Sequence, residues 1–220
     1  VMIMQSKIYL EDMNFVAACS SIDWEKLRNK NILVTGGTGL IGSTLINALL
    51  YANDKKHLYL QVVALVRNIE KARTIFGKHN SLKLVVGTVE KFPDLDMPID
   101  YIVHGASHTA SAFFVEHPVE TIKTAVTGRI NLLEIAVKKC VQGFVYLSSM
   151  EVYGAPHTDD VIPETQGTTV DTMSVRSCYP EAKRMCENLC ASYASEYKVP
   201  AMAIRLAQTF GAGVAADDVR

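Results

Sequence analysis

Tyr179 and Lys183, four positions apart in "SCYPEAKRMCE", form a pair suited to moving a proton. At helical spacing their side chains fall on one face. A free phenol, with a pKa of about 10, is too weakly acidic to act as a base at neutral pH. An ammonium beside it stabilises the phenolate, and lowering the pKa by about 3 units corresponds to about 4 kcal/mol of differential interaction. A tyrosine tuned in this way can take a proton from a substrate hydroxyl. Upstream, "VYLSSMEVYG" places Ser149 to hydrogen-bond the same substrate oxygen, with Ser148 as second choice. Both hydroxyls could instead close a turn.

Spacing alone does not single out this pair, because Tyr51 and Lys55 are also four apart. The elements that carry the residues discriminate between them. Apolar, β-branched runs lie at 31–35, 60–66, 82–87, 99–104, 143–148 and 201–207, and helical periodicity covers 40–52, 70–76, 115–139 and 181–197. "VVALV" and "LKLVV" do not alternate, as expected of strands buried on both faces. Strands alternating with helices, joined by right-handed crossovers, predict an α/β fold with a doubly wound, mostly parallel sheet. Such sheets bind ligands outside the carboxyl ends of their strands. Ser149 and Tyr179 follow the fifth strand and belong to that edge. Tyr51 and Lys55 fall at the far end of the first helix.

The first strand runs into "GGTGLIG" and then into a helix. Gly37, Gly39 and Gly42 satisfy G-x-G-x-x-G, and Gly36, Gly39 and Gly42 equally satisfy T-G-x-x-G-x-x-G. In either register one glycine permits the tight turn, another lets backbone approach a pyrophosphate, and the last lets the helix lie close to the sheet. The ligand's negative charge then rests on the helix N-terminus, which makes this the expected seat of a dinucleotide. The turn spans Gly36, Gly37, Thr38, Gly39, Leu40, Ile41 and Gly42. Beyond it, no Asp or Glu occurs between Asp54 and Glu70, and the second strand ends "ALVRN". An acid there would bind the ribose 2′-hydroxyl of NAD. Arg67 could instead face a 2′-phosphate, which favours NADP, or be a solvated arginine at a strand end.

The chain has 220 residues, 49% hydrophobic and 20% charged, with a formal net charge of −1. That balance gives no reason to expect nucleic acid or an acidic membrane as partner. Five cysteines without a C-x-x-C pair argue against a disulfide framework and fit a reducing cytoplasm. Cys186 and Cys190, at i, i+4, read as small apolar residues on a buried helix face rather than half of a metal site. His104 and His108 straddle a strand end without the glutamate of a zinc helix, so no metal is expected. Residues 1–30 form an N-terminal extension with a short helix around Trp24 and no targeting segment, and 31–220 form the dinucleotide-binding domain. Residues 154–176 read as a long loop, with His157 an exposed turn residue.

Taken in order, "TGGTGLIG", "HGAS", "SSMEVYG", Tyr179-x-x-x-Lys183 and "RLAQTFG" resemble the extended short-chain dehydrogenase/reductases, the NAD-dependent epimerase/dehydratase family acting on sugar nucleotides. "SSMEVYG" with "RSCYPEAKR" looks most like the UDP-glucuronate decarboxylase branch. The resemblance implies a Rossmann domain in which Ser149 and Tyr179 handle the sugar C4 oxygen, Lys183 anchors ribose and Glu151 assists in the ring chemistry. It places Ala106 against the cofactor and Ser107 and Gln208 against the substrate, and implies two subunits paired through the helices at 115–139 and around Cys186, whose apolar faces could equally be covered by the chain itself. A transient 4-keto sugar would then lose a proton or carbon dioxide. Departures from the pattern are Met150 where the dehydratases carry an acid, Arg67 where decarboxylases carry one, Ala125 for an asparagine, and Gln208 for another. Family members continue into a lobe that grips nucleotide and sugar, which is expected to be largely missing here. An NADPH-dependent carbonyl reductase and a dinucleotide-binding sensor without a reaction are the alternatives. Arg67 favours the first, and the complete Ser149–Tyr179–Lys183 set speaks against the second.

Overall fold

The computed structural model of the protein describes residues 7–108, 110–155 and 160–211. Six parallel strands form one sheet: β1 (Asn31–Thr35), β2 (Gln61–Val66), β3 (Leu82–Val86), β4 (Tyr101–His104), β5 (Gly143–Leu147) and β6 (Ala201–Ile204). Their spatial order is β3-β2-β1-β4-β5-β6, so the chain starts mid-sheet, winds outward, returns beside β1 and winds the other way. This is the doubly wound Rossmann arrangement, with a crevice where the order reverses between β1 and β4.

Each face of the sheet has its own core. Ile32 and Val34 of β1 point into the layer of α2 (Leu40–Lys56) and α3 (Ile69–Phe76). Leu33, between them, points the other way, into the layer of α5 (Pro118–Lys139) and α6 (Cys178–Tyr197). Coverage on both sides is why "VVALV" is buried without alternation. Residues 87–100 cross from β3 to β4 without a helix, and their Val89, Leu95 and Ile99 fill the α5–α6 layer instead.

Two elements differ from expectation. The N-terminal extension carries a helix that periodicity did not suggest, α1 (Lys7–Ala18), ahead of the expected turn at Trp24–Leu27. It buries Tyr9, Met13 and Ala17, and the Asn47 amide of α2 donates to the Tyr9 hydroxyl at 2.8 Å. The Tyr51 hydroxyl donates to Asn14 of α1 at 2.6 Å, which ties α2 to α1, and Lys55 of the same helix lies over the Tyr51 ring. The single helix expected at 115–139 is two, α4 (Ser111–Glu116) and α5, parted at His117 with φ −132° and ψ 57°. Pro118 excludes its predecessor from helical geometry and is itself preorganised to begin the next helix.

The long loop is tied down on its described side. Arg184 of α6 donates to the carbonyls of Val152 (2.8 Å) and Thr168 (2.9 Å), and Arg205 donates to that of Glu164 (2.7 Å). His157 lies outside the described residues. Among them, no helix is long and apolar enough to cross a membrane.

Candidate active site

The turn between β1 and α2 shows which glycine does what. Gly36 has φ +74°, a left-handed conformation open to glycine, and a Cβ there would stand 2.6 Å from the Gly105 carbonyl carbon of the loop after β4. A Cβ on Gly42 would overlap the Gly36 carbonyl oxygen. Gly39 is different: it is exposed, caps α2 without a side-chain bond, and its Cβ would meet only Gly36 O at 3.4 Å. The fold therefore needs Gly36 and Gly42 for itself, in the T-G-x-x-G-x-x-G register. The bare backbone at Gly39 leaves open space before the first-turn amides of α2, which have no intrahelical acceptor. Such a cradle fits a pyrophosphate.

The catalytic candidates meet at the same edge. Tyr179 stands in the first turn of α6, its ring stacked on Phe114 of α4 at 4.2 Å and 13°. Ser149, just after β5, accepts the Glu151 amide (3.2 Å) as cap of a short 3₁₀ turn (Met150–Tyr153), and its hydroxyl is near enough to Tyr179 to influence the phenol. Glu151 pairs with Arg176 at 2.9 Å, and the Arg176 guanidinium lies 4.9 Å over the Phe114 ring. Ser148 faces inward and donates to Glu187 at 2.6 Å, a carboxylate that also holds Arg205. The two adjacent serines thus have separate surroundings, and only Ser149 is beside the phenol.

Lys183 is buried one turn along α6, donates to the Leu147 carbonyl at 2.9 Å, and stands 5.5 Å from the Tyr179 ring centroid. Here the electrostatics depart from expectation. Burial pushes the Tyr179 phenol up, the Ser149 hydroxyl pulls it down, Glu151 pushes it up and Arg176 pulls it down; the net direction is upward. Arg176, 6.0 Å over the Tyr179 ring, pulls the phenol down, while Lys183, nearer the ring, gives its hydrogen bond to a backbone carbonyl. Burial lowers Lys183 itself to about 8. The fold then binds this proton less tightly than the unfolded chain does, so Lys183's contribution to stability rises as pH climbs from about 8 toward the ordinary lysine value. Urea unfolding across that range should show the rise in the native protein and lose it in Lys183→Met.

The remaining candidates scatter. The Ala106 amide donates to Thr35 Oγ1 at 3.3 Å, beside Gly36 in the crevice. Thr35 in turn shares a 2.6 Å hydrogen bond with buried His104, whose ring stacks on Tyr146. Arg67 is exposed at the end of β2, and its charge reaches His108 after β4, adding to burial in lowering that imidazole's pKa. Ser107 donates to the His108 carbonyl (3.1 Å) and Gln208 is exposed after β6; among the described residues neither bonds to the Tyr179 group. Cys186 and Cys190 are buried in the α5–α6 layer, and no described cluster of His, Cys, Asp or Glu could hold a metal ion. Sequence reasoning missed Phe114 and Arg176. The "R" three positions before Tyr179 is a local signal that could have flagged the second; nothing local flags the first.

Comparison with known proteins adds four findings. The model of the NAD dependent epimerase/dehydratase family matches residues 32–220. A UDP-glucuronic acid decarboxylase 6 of Arabidopsis thaliana is 33% identical over 87% of this chain and 54% of its own length. In structure, a UDP-N-acetylglucosamine 4-epimerase from Methanobrevibacter ruminantium superposes with a TM-score of 0.67 at 22% identity, over 81% of this chain and 55% of that one. WbmF of Bordetella bronchiseptica, solved with NAD+, superposes with a TM-score of 0.60 at 20% identity, over 82% and 50%. At such identities the structural likeness concerns the fold. The chain spans about half the length of the relatives it matches.

Proposed function

The chain belongs to the NAD-dependent epimerase/dehydratase family, and on that premise we propose that it binds NAD(P) at the turn into α2 and modifies a nucleotide sugar through transient oxidation at C4. The observation that supports this most is the gathering of Ser149, Tyr179 and Glu151 at the sheet edge that also carries the Gly39 cradle. The first-turn amides of Leu40, Ile41 and Gly42, with Gly37 and Thr38 behind them and Ala106 opposite, suit a pyrophosphate. When bound, the dinucleotide supplies hydride acceptance and return. The chain's own groups handle the protons. Tyr179 takes the proton of the C4 hydroxyl, Ser149 hydrogen-bonds the same oxygen, Lys183 anchors ribose, and Glu151 is a second acid or base beside the ring. Ser107 and Gln208 reach the sugar from their loops.

Within the family we favour decarboxylation of a nucleotide-linked uronic acid, supported by the decarboxylase relative. A keto group at C4 makes the C5 carboxylate labile: carbon dioxide leaves, C5 is protonated and the ketone is reduced again. Met150 offers no acid for a 4,6-dehydration. A net carbonyl reductase finds no support among the relatives named above. Incubating full-length protein with UDP-, dTDP-, GDP- and CDP-sugars and reading products by mass tests the proposal. The expected product is UDP-glucuronate less carbon dioxide, with no net change in the absorbance of reduced nicotinamide. Steady NADPH consumption would contradict it.

For the cofactor we favour NADP, on Arg67. Arg67→Asp should then weaken NADP binding by about tenfold or more, one charge-assisted bond, and leave NAD binding unchanged or improved. Fluorescence titration with both cofactors reads the difference. We also read the molecule as a homodimer of the cytoplasm. Exposed Val119, Ile122 and Ile130 on α5 and Met185 on α6 offer an apolar surface for a second copy, and all five thiols are free.

A further inference from the structure

Arg129 lies on the buried stripe of α5 with Ala125, Leu132 and Ala136, and no part of it is exposed. Among the described residues, none of its three guanidinium nitrogens has a hydrogen-bond partner. Its surroundings are aromatic: the guanidinium carbon stands 3.3 Å from the Tyr146 ring centroid and 5.2 Å from that of Phe144. Lys183 Nζ lies 4.9 Å from the same Tyr146 centroid. Two cations therefore share one ring in a dry interior. A guanidinium keeps its proton at any physiological pH, whereas a buried ammonium can release its own.

The other groups facing Lys183 do not neutralise this. Its own helix brings Tyr179, the Cys186 thiol and Glu187; β5 brings Tyr146 and the Leu147 carbonyl; the turn after β5 brings Glu151. From β4 comes His104, whose imidazole is kept neutral by burial and by both cations. Glu187 and Glu151 are already paired, to Arg205 at 2.8 Å and to Arg176 at 2.9 Å. A buried charge without an anion costs stability, and apolar replacements of similar volume are often neutral or stabilising. Packing alone would favour a methionine where Arg129 stands.

We propose that Arg129 is a positioning residue: its fixed charge, held against the Tyr146 ring that Lys183 also faces, acts on the charge state of Lys183. The role rests on the proposed function, in which Lys183 anchors ribose beside Tyr179. The lowering of Lys183 has burial as its first cause, with Arg129 acting in the same direction against Cys186, Glu187 and Glu151.

The test is an NMR titration of full-length protein carrying ¹³Cε-lysine, without ligands, with the Lys183 signal identified by its loss in Lys183→Arg. The midpoint should lie at about 8 in the native protein, and about one unit higher in Arg129→Met. Arg129→Lys, whose ammonium can itself discharge, should fall between. The limb of the kcat/KM pH profile that Lys183 governs should move with it, and Arg129→Met should melt no lower than the native protein. A midpoint unmoved in Arg129→Met overturns the proposal. So does an Arg129→Met that no longer folds, which would make Arg129 a support of the core. Because the titration needs no turnover, its failure leaves the proposed reaction standing. A shift in a protein inert toward nucleotide sugars would remove the reaction and keep the charge coupling.

Discussion

Tyr179→Phe should cost full-length protein about 10²- to 10⁴-fold in turnover of its nucleotide sugar, the usual worth of a positioned acid–base group. NAD(P) affinity should be nearly unchanged. The ring would keep its 4.2 Å stack on Phe114, so the start of α6 has no reason to move. On the proposed reading the cofactor's own contacts lie at the turn into α2 and at Lys183, which the substitution leaves alone. What disappears is the phenol oxygen, which Ser149 influences and which on the proposed reading carries the substrate proton. Product formation by mass and cofactor binding by calorimetry separate the two effects. Wild-type turnover in this variant would remove Tyr179 from the chemistry, and a matching loss of cofactor affinity would make it a binding residue.

The second large effect is a contrast among three glycines. Gly36→Ala forces a side chain into a left-handed backbone and against Gly105, and Gly42→Ala drives one into the Gly36 carbonyl. Each should lose about 2–4 kcal/mol of stability from strain and overpacking. Gly39→Ala meets only one atom at 3.4 Å, so its melting temperature should hardly change. Its methyl would instead occupy the space before the α2 amides. Losing one charge-assisted contact there should weaken dinucleotide binding by about tenfold or more. Melting curves with and without cofactor read both quantities. If Gly39→Ala binds NAD(P) as tightly as the native protein, the pyrophosphate does not lie where we place it.

The sequence made legible whatever depends on neighbours along the chain. Strand β2, buried on both faces, announces itself as an unbroken apolar run, whereas "LKLVV" of β3, expected to be buried likewise, is half exposed because it lies at the edge of the sheet. The glycine turn carries its geometry in its composition. The helix α1 escaped because exposed Ile8, Leu10 and Phe15 blur the stripe made by Tyr9, Met13 and Ala17. The break at His117 was available from Pro118 and was outweighed by the periodicity on either side. In the site, Ser149, Glu151, Tyr179 and Lys183 come from two short segments. Phe114 reaches Tyr179 from a separate helix, a contact that no local pattern encodes. The same limit explains the electrostatics: spacing suggested an ammonium lowering a phenol, whereas burial, which no local pattern encodes, is the first influence on Tyr179 and pushes it up. Arg129 was visible as an arginine inside an apolar stripe, but its lack of a partner is a property of the packed interior.

The whole account turns on where the dinucleotide sits relative to the phenol. A crystal structure of full-length protein with NAD(P) measures this directly. The account predicts pyrophosphate oxygens on the backbone amides at Gly39–Gly42, ribose on Lys183, and the Tyr179 hydroxyl beside the nicotinamide ring. A dinucleotide bound elsewhere, or a nicotinamide out of reach of Tyr179 and Ser149, would contradict it.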